Sequence, residues 1–237
     1  MRDPLALVLA FALAVALLPG LALMTSGSAH ADAPLVSETA DVIGAGDCQV
    51  EAALAKGRAS NTPASHGWDL LASCGLGRDS QAALGLSGVR SDGSTARAAR
   101  AVGKTTLVAP AGDVTGWGLR YGFAFEQAPG VGWRSEGLEL MGVMTREVAS
   151  GLLLHANVGH SYSRSTGQGS TLWALGIETT ADTTVAADLF GDDRSRPWVS
   201  AGVGTKLARG LSINASFAVQ FEQPRVRLFT LGAKLTF

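Results

Sequence analysis

A short stretch of the chain carries side chains that could supply a nucleophile and a base. His155, Asn157, His160 and Ser161 lie close together in the sequence. In a hydrolase the serine and the histidine must come within hydrogen-bond range of each other. Because successive side chains of a strand point to opposite faces, His155 shares a face with Asn157, whereas His160 and Ser161 face opposite ways. The spacing does not bring a serine onto a base, and we expect no enzymatic activity.

Charged residues recur at positions that a strand pattern places on one face of a sheet. Arg120 and Glu139 fall on neighbouring predicted strands at registers that let them meet. Inside a barrel, such residues can form a charged constriction that selects solutes or a salt-bridge network that fills a narrow lumen. The sequence leaves both interpretations open. The predicted lumen-lining residues are Glu51, Asp69, Arg120, Glu139, His155, Asn157, Asp188 and Lys234.

The two cysteines, Cys48 and Cys74, both fall on outward-facing positions of the first two predicted strands. The hairpin midpoint that they imply falls near Asn61, inside a polar loop, so the two would face each other across the sheet. Disulfides persist in exported proteins. We therefore predict a disulfide that closes the first hairpin, the alternative being two free thiols in lipid.

An acidic pair, Asp192 and Asp193, precedes Arg194 in a polar loop. The pair could bind Ca²⁺ or a cation that bridges lipopolysaccharide. It could equally form an Asx-type turn with a local Arg–Asp pair, which is the interpretation we favour. We predict no metal site and no cofactor.

Apolar and other residues alternate along most of the chain from about residue 47 onward, which is typical of strands. Twelve such segments can be counted; in the clearest, Trp117, Leu119, Tyr121, Phe123 and Phe125 alternate with small or polar residues. Short connections alternate with longer polar ones, at residues 57–67, 91–100, 126–135, 163–169 and 191–197. An even strand number, sorted loops and an apolar face rich in aromatic residues are typical of transmembrane barrels. We predict an all-β fold, a single closed antiparallel up-and-down transmembrane β-barrel of about twelve strands.

The two ends of the chain indicate export and assembly. Residues 5–18 are an unbroken apolar stretch, and Ala29-His30-Ala31 matches a cleavage site. We predict a cleaved signal peptide over residues 1–31, a periplasmic lead over 32–46 and the barrel over 47–237. The last strand resembles the terminal strand that the barrel-assembly machinery recognises, because it ends in Phe and alternates throughout. Its predicted assembly signal is Phe229, Leu231, Ala233, Leu235 and Phe237.

The segment from Ala187 to Arg194, with Pro197 and Trp198, resembles a late hairpin in a family of small outer-membrane transporters named for association with phenol-degradation gene clusters. The resemblance covers about the last 50 residues well and implies a membrane barrel that passes small solutes. A second barrel family, the outer-membrane phospholipases A, places its His and Ser two residues apart on one strand, a spacing that the present chain lacks.

The sequence thus predicts a protein of the bacterial outer membrane, reached through the cleaved signal peptide. Its expected partners are membrane lipids, lipopolysaccharide, the assembly machinery and periplasmic chaperones. A net charge of −1 gives no reason to expect nucleic acid. The leading functional prediction is a narrow passive channel for small solutes. The alternative is a non-conducting structural or surface barrel with a plugged lumen, and an acyl hydrolase is disfavoured.

Overall fold

A computed structural model describes residues 36–59, 62–127, 132–221 and 225–237. Twelve antiparallel strands form one closed barrel in which each strand pairs with its neighbours in sequence and the first pairs with the last. The predicted all-β barrel and its strand number are therefore confirmed. The predicted signal peptide, residues 1–31, lies outside the described residues.

The strands vary from short to long around the wall. They are β1 Cys48–Arg58, β2 Ser65–Gly77, β3 Ser80–Ser91, β4 Ser94–Val108, β5 Gly116–Gln127, β6 Arg134–Ala149, β7 Leu152–Ser163, β8 Gln168–Thr179, β9 Thr183–Asp192, β10 Trp198–Ala208, β11 Leu211–Gln220 and β12 Arg227–Thr236.

The alternation of the sequence becomes the inner and outer surfaces of the barrel. Phe123, Phe217 and Leu231 each expose about half of their surface on the outer face, at 53%, 48% and 50%. Their sequence neighbours point inward and are small or polar. An outer band of large apolar side chains is stable only against acyl chains or another apolar surface. Among the described residues, no helix has the length and apolar character needed to cross a membrane.

The connection between β3 and β4 differs from the expectation. We expected a long polar loop over residues 91–100, but the strands continue to Ser91 and from Ser94, and only Asp92 and Gly93 turn the chain. Both turn residues have positive φ, 49° and 77°. An Asp-Gly pair favours the two-residue type I′ hairpin. The polar residues that follow belong to a long β4 and not to a loop, with Arg97 on the outer face and Arg100 on the lumen face.

The barrel closes where the two ends of the chain meet. The amide of Cys48 donates to the carbonyl of Phe237 at 2.8 Å, and the amide of Phe237 donates back at 2.9 Å. From there the β1–β12 ladder runs with Glu51 opposite Lys234 and Leu54 opposite Leu231. The five residues of the predicted assembly signal lie on the outer face of this last strand. Four of the five strand connections at this end have two or three residues, the exception being 109–115. We define this end of the barrel as the periplasmic end and the other as the loop end.

The outer band gives a test of the membrane-facing surface. Leu140, near the middle of β6, is 54% exposed on the outer face. Leu140→Arg should lower the free energy of unfolding in lipid bilayers by about 2–4 kcal/mol, because a cation would lie near the midplane. Leu207→Arg, one residue from the periplasmic end of β10, should cost about 0–1 kcal/mol. Urea titration of tryptophan fluorescence measures both, and equal costs would contradict the placement of the membrane.

Candidate functional site

Residues 36–46, which we call the lumen segment, run inside the barrel. We expected this part of the lead to lie in the periplasm; instead its backbone bonds to inward-facing side chains of β3, β4, β6, β7 and β9. Ala40 is completely buried. The physical reason is that the lumen wall offers many polar side chains, and the segment's backbone amides and carbonyls satisfy them. Residues 32–35, the beginning of the lead, lie outside the described residues.

Asp188 of β9 anchors the beginning of the lumen segment. Its carboxylate accepts hydrogen bonds from the amide of Val36 at 3.1 Å, and from the amide and hydroxyl of Ser37 at 3.3 and 2.6 Å. The hydroxyl of Ser200 on β10 donates a fourth bond at 3.2 Å. Gly176 on β8 leaves room for this contact, since a Cβ there would lie 2.0 Å from the Ser37 hydroxyl oxygen. A buried carboxylate is stable when hydrogen bonds satisfy it in this way.

Asn157 of β7 binds the backbone of Glu38 through both the oxygen and the nitrogen of its side-chain amide. Its Oδ1 accepts from the amide of Glu38 at 2.7 Å, and its Nδ2 donates to the carbonyl of Glu38 at 3.0 Å. On the opposite wall the hydroxyl of Thr106 donates to the carbonyl of Ala40 at 2.6 Å. The side chain of Gln81 accepts from the amide of Ile43 at 2.8 Å. The lumen segment is therefore held on several sides.

A buried relay of three side chains supports the middle of the segment. The amide of Ala40 donates to Thr145 Oγ1 at 2.9 Å, Thr145 Oγ1 lies 3.0 Å from His155 Nδ1, and His155 Nε2 lies 3.1 Å from Glu178 Oε1. A carboxylate only accepts hydrogen bonds. In the neutral ring the proton is thus on Nε2, and the Thr145 hydroxyl donates to Nδ1. A hydroxyl, an imidazole and a carboxylate are thus joined by hydrogen bonds, but Thr145 is only 1% exposed and its hydroxyl accepts from the lumen segment, so the group supports the segment.

Glu38 meets two cations of the opposite wall. Its carboxylate lies 3.1 Å from Arg120 Nε and 3.5 Å from Lys104 Nζ. Lys104 also donates to the carbonyl of Thr39 at 3.2 Å. Arg120 additionally pairs with Glu139, so the predicted neighbours on β5 and β6 do meet. The lumen segment thus completes the charge balance of the wall.

A second ion pair lies closer to the loop end of the lumen. Arg100 of β4 donates from both terminal nitrogens to the two oxygens of Asp69, each at 2.6 Å. Gly85 makes this geometry possible, because a Cβ there would lie 2.9–3.0 Å from the Arg100 side chain. A bidentate pair of this kind fixes the orientation of both side chains.

A polar cavity of about 1070 Å³ remains beside the lumen segment. Its wall extends from Asp47 and Thr236 at the periplasmic end to Arg100 and Glu51 near mid-height. Glu178 also lines it, and its second oxygen, Oε2, is buried without a hydrogen bond from the described residues. The lumen is therefore only partly filled.

Small side chains line part of the loop-end half of the lumen. Inward-facing positions there include Ala53, Ala55, Gly57, Gly67, Ser87, Ala96, Ala98, Gly122, Ala124, Gly159 and Ser161. On the side formed by β8, β9, β10 and β12, large side chains share the lumen face at this end, namely Leu172, Phe190, Trp198 and Leu228. The rings of Phe190 and Trp198 stack there with their centroids 6.2 Å apart.

The acidic pair, Asp192 and Asp193, takes part in turn hydrogen bonds. Asp192 accepts from the amides of Arg194 and Ser195, each at 2.7 Å, which is an Asx turn. Asp193 accepts from the Ser170 hydroxyl at 2.8 Å, and this bond lowers the pKa of Asp193 below its ordinary value. The guanidinium of Arg194 bonds to Gln168 and not to either aspartate, so the predicted Arg–Asp pair is absent. Within the described ranges no cluster of metal-ligating side chains occurs.

Cys48 and Cys74 lie directly opposite each other in the β1–β2 ladder and form a disulfide. Their Cα atoms are 4.1 Å apart, and the bond closes a separation of 26 residues. The pair stands at the periplasmic end of the outer face, where it links the strand that closes the barrel to its neighbour.

All eight predicted lumen-lining residues occupy inward positions, and the structure adds others that sequence reasoning missed. His155 and Asn157 serve the lumen segment, while Glu51 lies opposite Lys234. The additional residues are Ser37, Glu38, Arg100, Lys104, Thr145 and Glu178. Arg100 and Lys104 could have been predicted to face the lumen, because they fall on the same face of a strand whose neighbouring residues are small or apolar. The sequence of the lumen segment contains no comparable pattern.

The family comparison matches nearly the whole chain. Residues 20–237 match the model of the family described as "Uncharacterised conserved protein UCP029691". The chain belongs to this family. No curated protein sequence matches it. The narrower resemblance to the transporter family of phenol-degradation clusters is not confirmed by this match.

Solved outer-membrane barrels share the fold at low sequence identity. A KdgM porin, in complex with disordered oligogalacturonate, is 10% identical with a TM-score of 0.60, covering 80% of the present chain and 99% of the porin. The NanC porin is 10% identical with a TM-score of 0.57, covering 78% and 98%. Outer membrane phospholipase A from Escherichia coli is 10% identical with a TM-score of 0.50, covering 87% and 94%. At these low identities the structural likeness shows that the chain shares the barrel fold of these proteins, and it does not show a shared function.

The disulfide gives a prediction on stability. Replacing Cys48 and Cys74 by Ser together should lower the free energy of unfolding by about 3 kcal/mol, because the cross-link restricts the unfolded chain. Urea unfolding in detergent micelles measures this, and reduced wild type should match the double variant. A double variant as stable as oxidised wild type would contradict it.

The anchor at Asp188 gives a prediction on local order. Asp188→Ala removes the acceptor of three bonds to the lumen segment, each worth about 1.5–3 kcal/mol when the acceptor is charged. Hydrogen–deuterium exchange of the segment's amides should accelerate by roughly tenfold or more. Ser200→Ala is the control, since it removes only the bond from β10. Unchanged exchange in Asp188→Ala would show that the anchor lies elsewhere.

Proposed function

We propose that this protein is a narrow channel of the bacterial outer membrane that passes small polar solutes. The proposal rests on one observation: the lumen segment occupies part of the lumen and leaves a polar cavity of about 1070 Å³ beside it. A filled barrel would have no such space. The exposed apolar band of the outer wall and the fold shared with known porins support a place in that membrane.

The chemistry of the cavity supports polar and not hydrocarbon solutes. Its lining carries the cations Arg100, Lys104 and Arg120 together with the acids Glu51 and Glu178. A barrel of the same fold, CymD, is described as a monoaromatic hydrocarbon channel, and an apolar solute would gain nothing from the charged wall found here.

Positive and negative side chains lie side by side on the cavity lining, which indicates how a polar solute would pass. Solutes that enter the lumen would meet a layer of paired charges near the level of Glu38. Ion pairs such as Arg120 with Glu38 and Glu139 offer alternating donors and acceptors to hydroxyl, amide and carboxylate groups. Multiple weak sites of this kind suit conduction better than one tight site.

The second candidate is a barrel whose lumen is closed by its own N-terminal segment. The observation in its favour is the number of contacts that hold the lumen segment, from Asp188 to Gln81. In this case the protein would contribute its outer loops to the cell surface and conduct nothing. Both candidates predict the same fold and differ only in conductance.

Single-channel recording decides between them. Wild type and a variant lacking residues 36–46 are inserted into planar bilayers after a heat-modifiable gel shift confirms that each is folded. A narrow channel gives small steps in wild type and larger steps in the deletion variant, because the segment narrows the pore. Silence in wild type with steps in the variant would establish the plugged barrel. Silence in both would rule out a channel.

Glu38 provides a finer test with a matched control. Glu38→Gln keeps the shape of the side chain but removes the negative charge from Arg120 and Lys104, so the ratio of anion to cation permeability should rise. Glu136→Gln, at the loop end of β6 and bonded to serines, should leave the ratio unchanged. Reversal potentials in a salt gradient measure it, and an unchanged ratio in Glu38→Gln would place the conducting path elsewhere.

A further inference from the structure

The outer face carries a concentration of basic side chains at the loop end of five neighbouring strands. These strands are β12, β1, β2, β3 and β4, which are consecutive around the barrel. All six side chains have outward parity and are exposed. The members, which we call the cationic patch, are Lys56, Arg58, His66, Arg90, Arg97 and Arg227.

The patch places basic side chains directly against one another. Lys56 is paired in register with His66, and His66 with Arg90, so three basic residues form one cross-strand row. Arg58 is paired with Arg227 in the ladder that closes the barrel. Cβ atoms of such pairs lie about 4.5–5.5 Å apart, and like charges at this distance destabilise the sheet. The sequence keeps an arrangement that costs stability.

No acidic side chain of the described residues relieves this repulsion. Within the described ranges none of the six forms an ion pair or a side-chain hydrogen bond. Six basic side chains on neighbouring strands therefore lie close together with no acidic partner among the described residues.

The position of the cationic patch along the barrel axis indicates which kind of molecule can contact it. Phe229 lies opposite Lys56, and Trp68 and Leu54 lie opposite each other one row toward the periplasmic end. The Trp68 ring lies flat along the wall, since a Cβ on Gly88 would lie 2.6 Å from its Nε1. Aromatic residues of transmembrane barrels form girdles at the membrane interfaces. The patch therefore lies at the level of lipid headgroups, directly above surface that faces acyl chains.

We propose that the cationic patch binds the phosphate groups of lipopolysaccharide in the leaflet on the loop side. A ligand with phosphates above and acyl chains below matches both the charges and the apolar surface beneath them. Guanidinium groups match phosphate geometry with paired donors, and the patch has four arginines. A soluble anionic protein would meet the charges but would leave the adjoining apolar surface without a role.

The test compares two sets of charge removals in the folded, full-length mature protein. The patch variant carries Lys56→Gln, Arg58→Gln, Arg90→Gln and Arg227→Gln. The control variant carries Arg78→Gln, Arg146→Gln and Arg209→Gln, which remove exposed cations at the periplasmic end. Binding of purified lipid A to detergent-solubilised protein is measured by native mass spectrometry, and the same titration is run with dephosphorylated lipid A.

The patch variant should bind lipid A roughly a thousandfold more weakly than wild type, since each cation near a lipid surface contributes about 1 kcal/mol, and the control variant should bind like wild type. Dephosphorylated lipid A should bind all three proteins equally weakly. Equal lipid A affinity in wild type and patch variant would overturn the proposal, as would equal affinity of wild type for the two lipids. If the patch variant does not fold, Arg58→Gln alone, which removes one member of the facing arginine pair, should still weaken lipid A binding.

Discussion

The sorting of side chains between the two faces of a closed sheet is the constraint on which the rest of this structure depends. In a barrel without edges every strand must present apolar residues outward, because a bare polar group in lipid costs several kcal/mol. Charged residues of the spanning region are then confined to a small interior. There they must pair, as Arg100 does with Asp69 and Arg120 with Glu139. The ion-pair layer of the lumen thus follows from the same sorting that makes the outer surface.

The lumen segment follows from the same constraint. The inward faces of β6 to β9 carry Thr145, Asn157 and Asp188, whose buried polar atoms need partners. Wall residues supply some of these partners, such as Ser200 for Asp188, and the backbone of the lumen segment supplies the others. Glu38 then adds a carboxylate where the opposite wall has an excess of cations, Lys104 and Arg120. The segment is therefore best understood as part of the polar interior and not as a tail.

The sequence predicted which face of the sheet each strand residue occupies. It did not predict contacts between residues that are distant in the chain. Inward positions such as Asp188 and the facing cysteines could be read from alternation, because period two fixes the face of every residue. The lumen segment could not, since its partners lie far away in the chain: Glu38 meets Asn157 across 119 residues and Val36 meets Asp188 across 152. The turn at Asp92 was missed because the arginines after it resemble a polar loop, although they lie on a strand with alternate faces.

The distribution of charge separates two surfaces with different roles. Inside the barrel, almost every cation that the structure describes has an acidic neighbour, so the interior is balanced and can offer many weak contacts to a solute. On the outer face at the loop end, Arg58 faces Arg227 without an acid of the described residues between them. A folded chain gains nothing by holding like charges together in water. On the proposal above, the phosphate groups of lipid headgroups supply the missing anions. The interior charges and the exterior charges therefore need separate explanations, one from solute passage and one from the membrane itself.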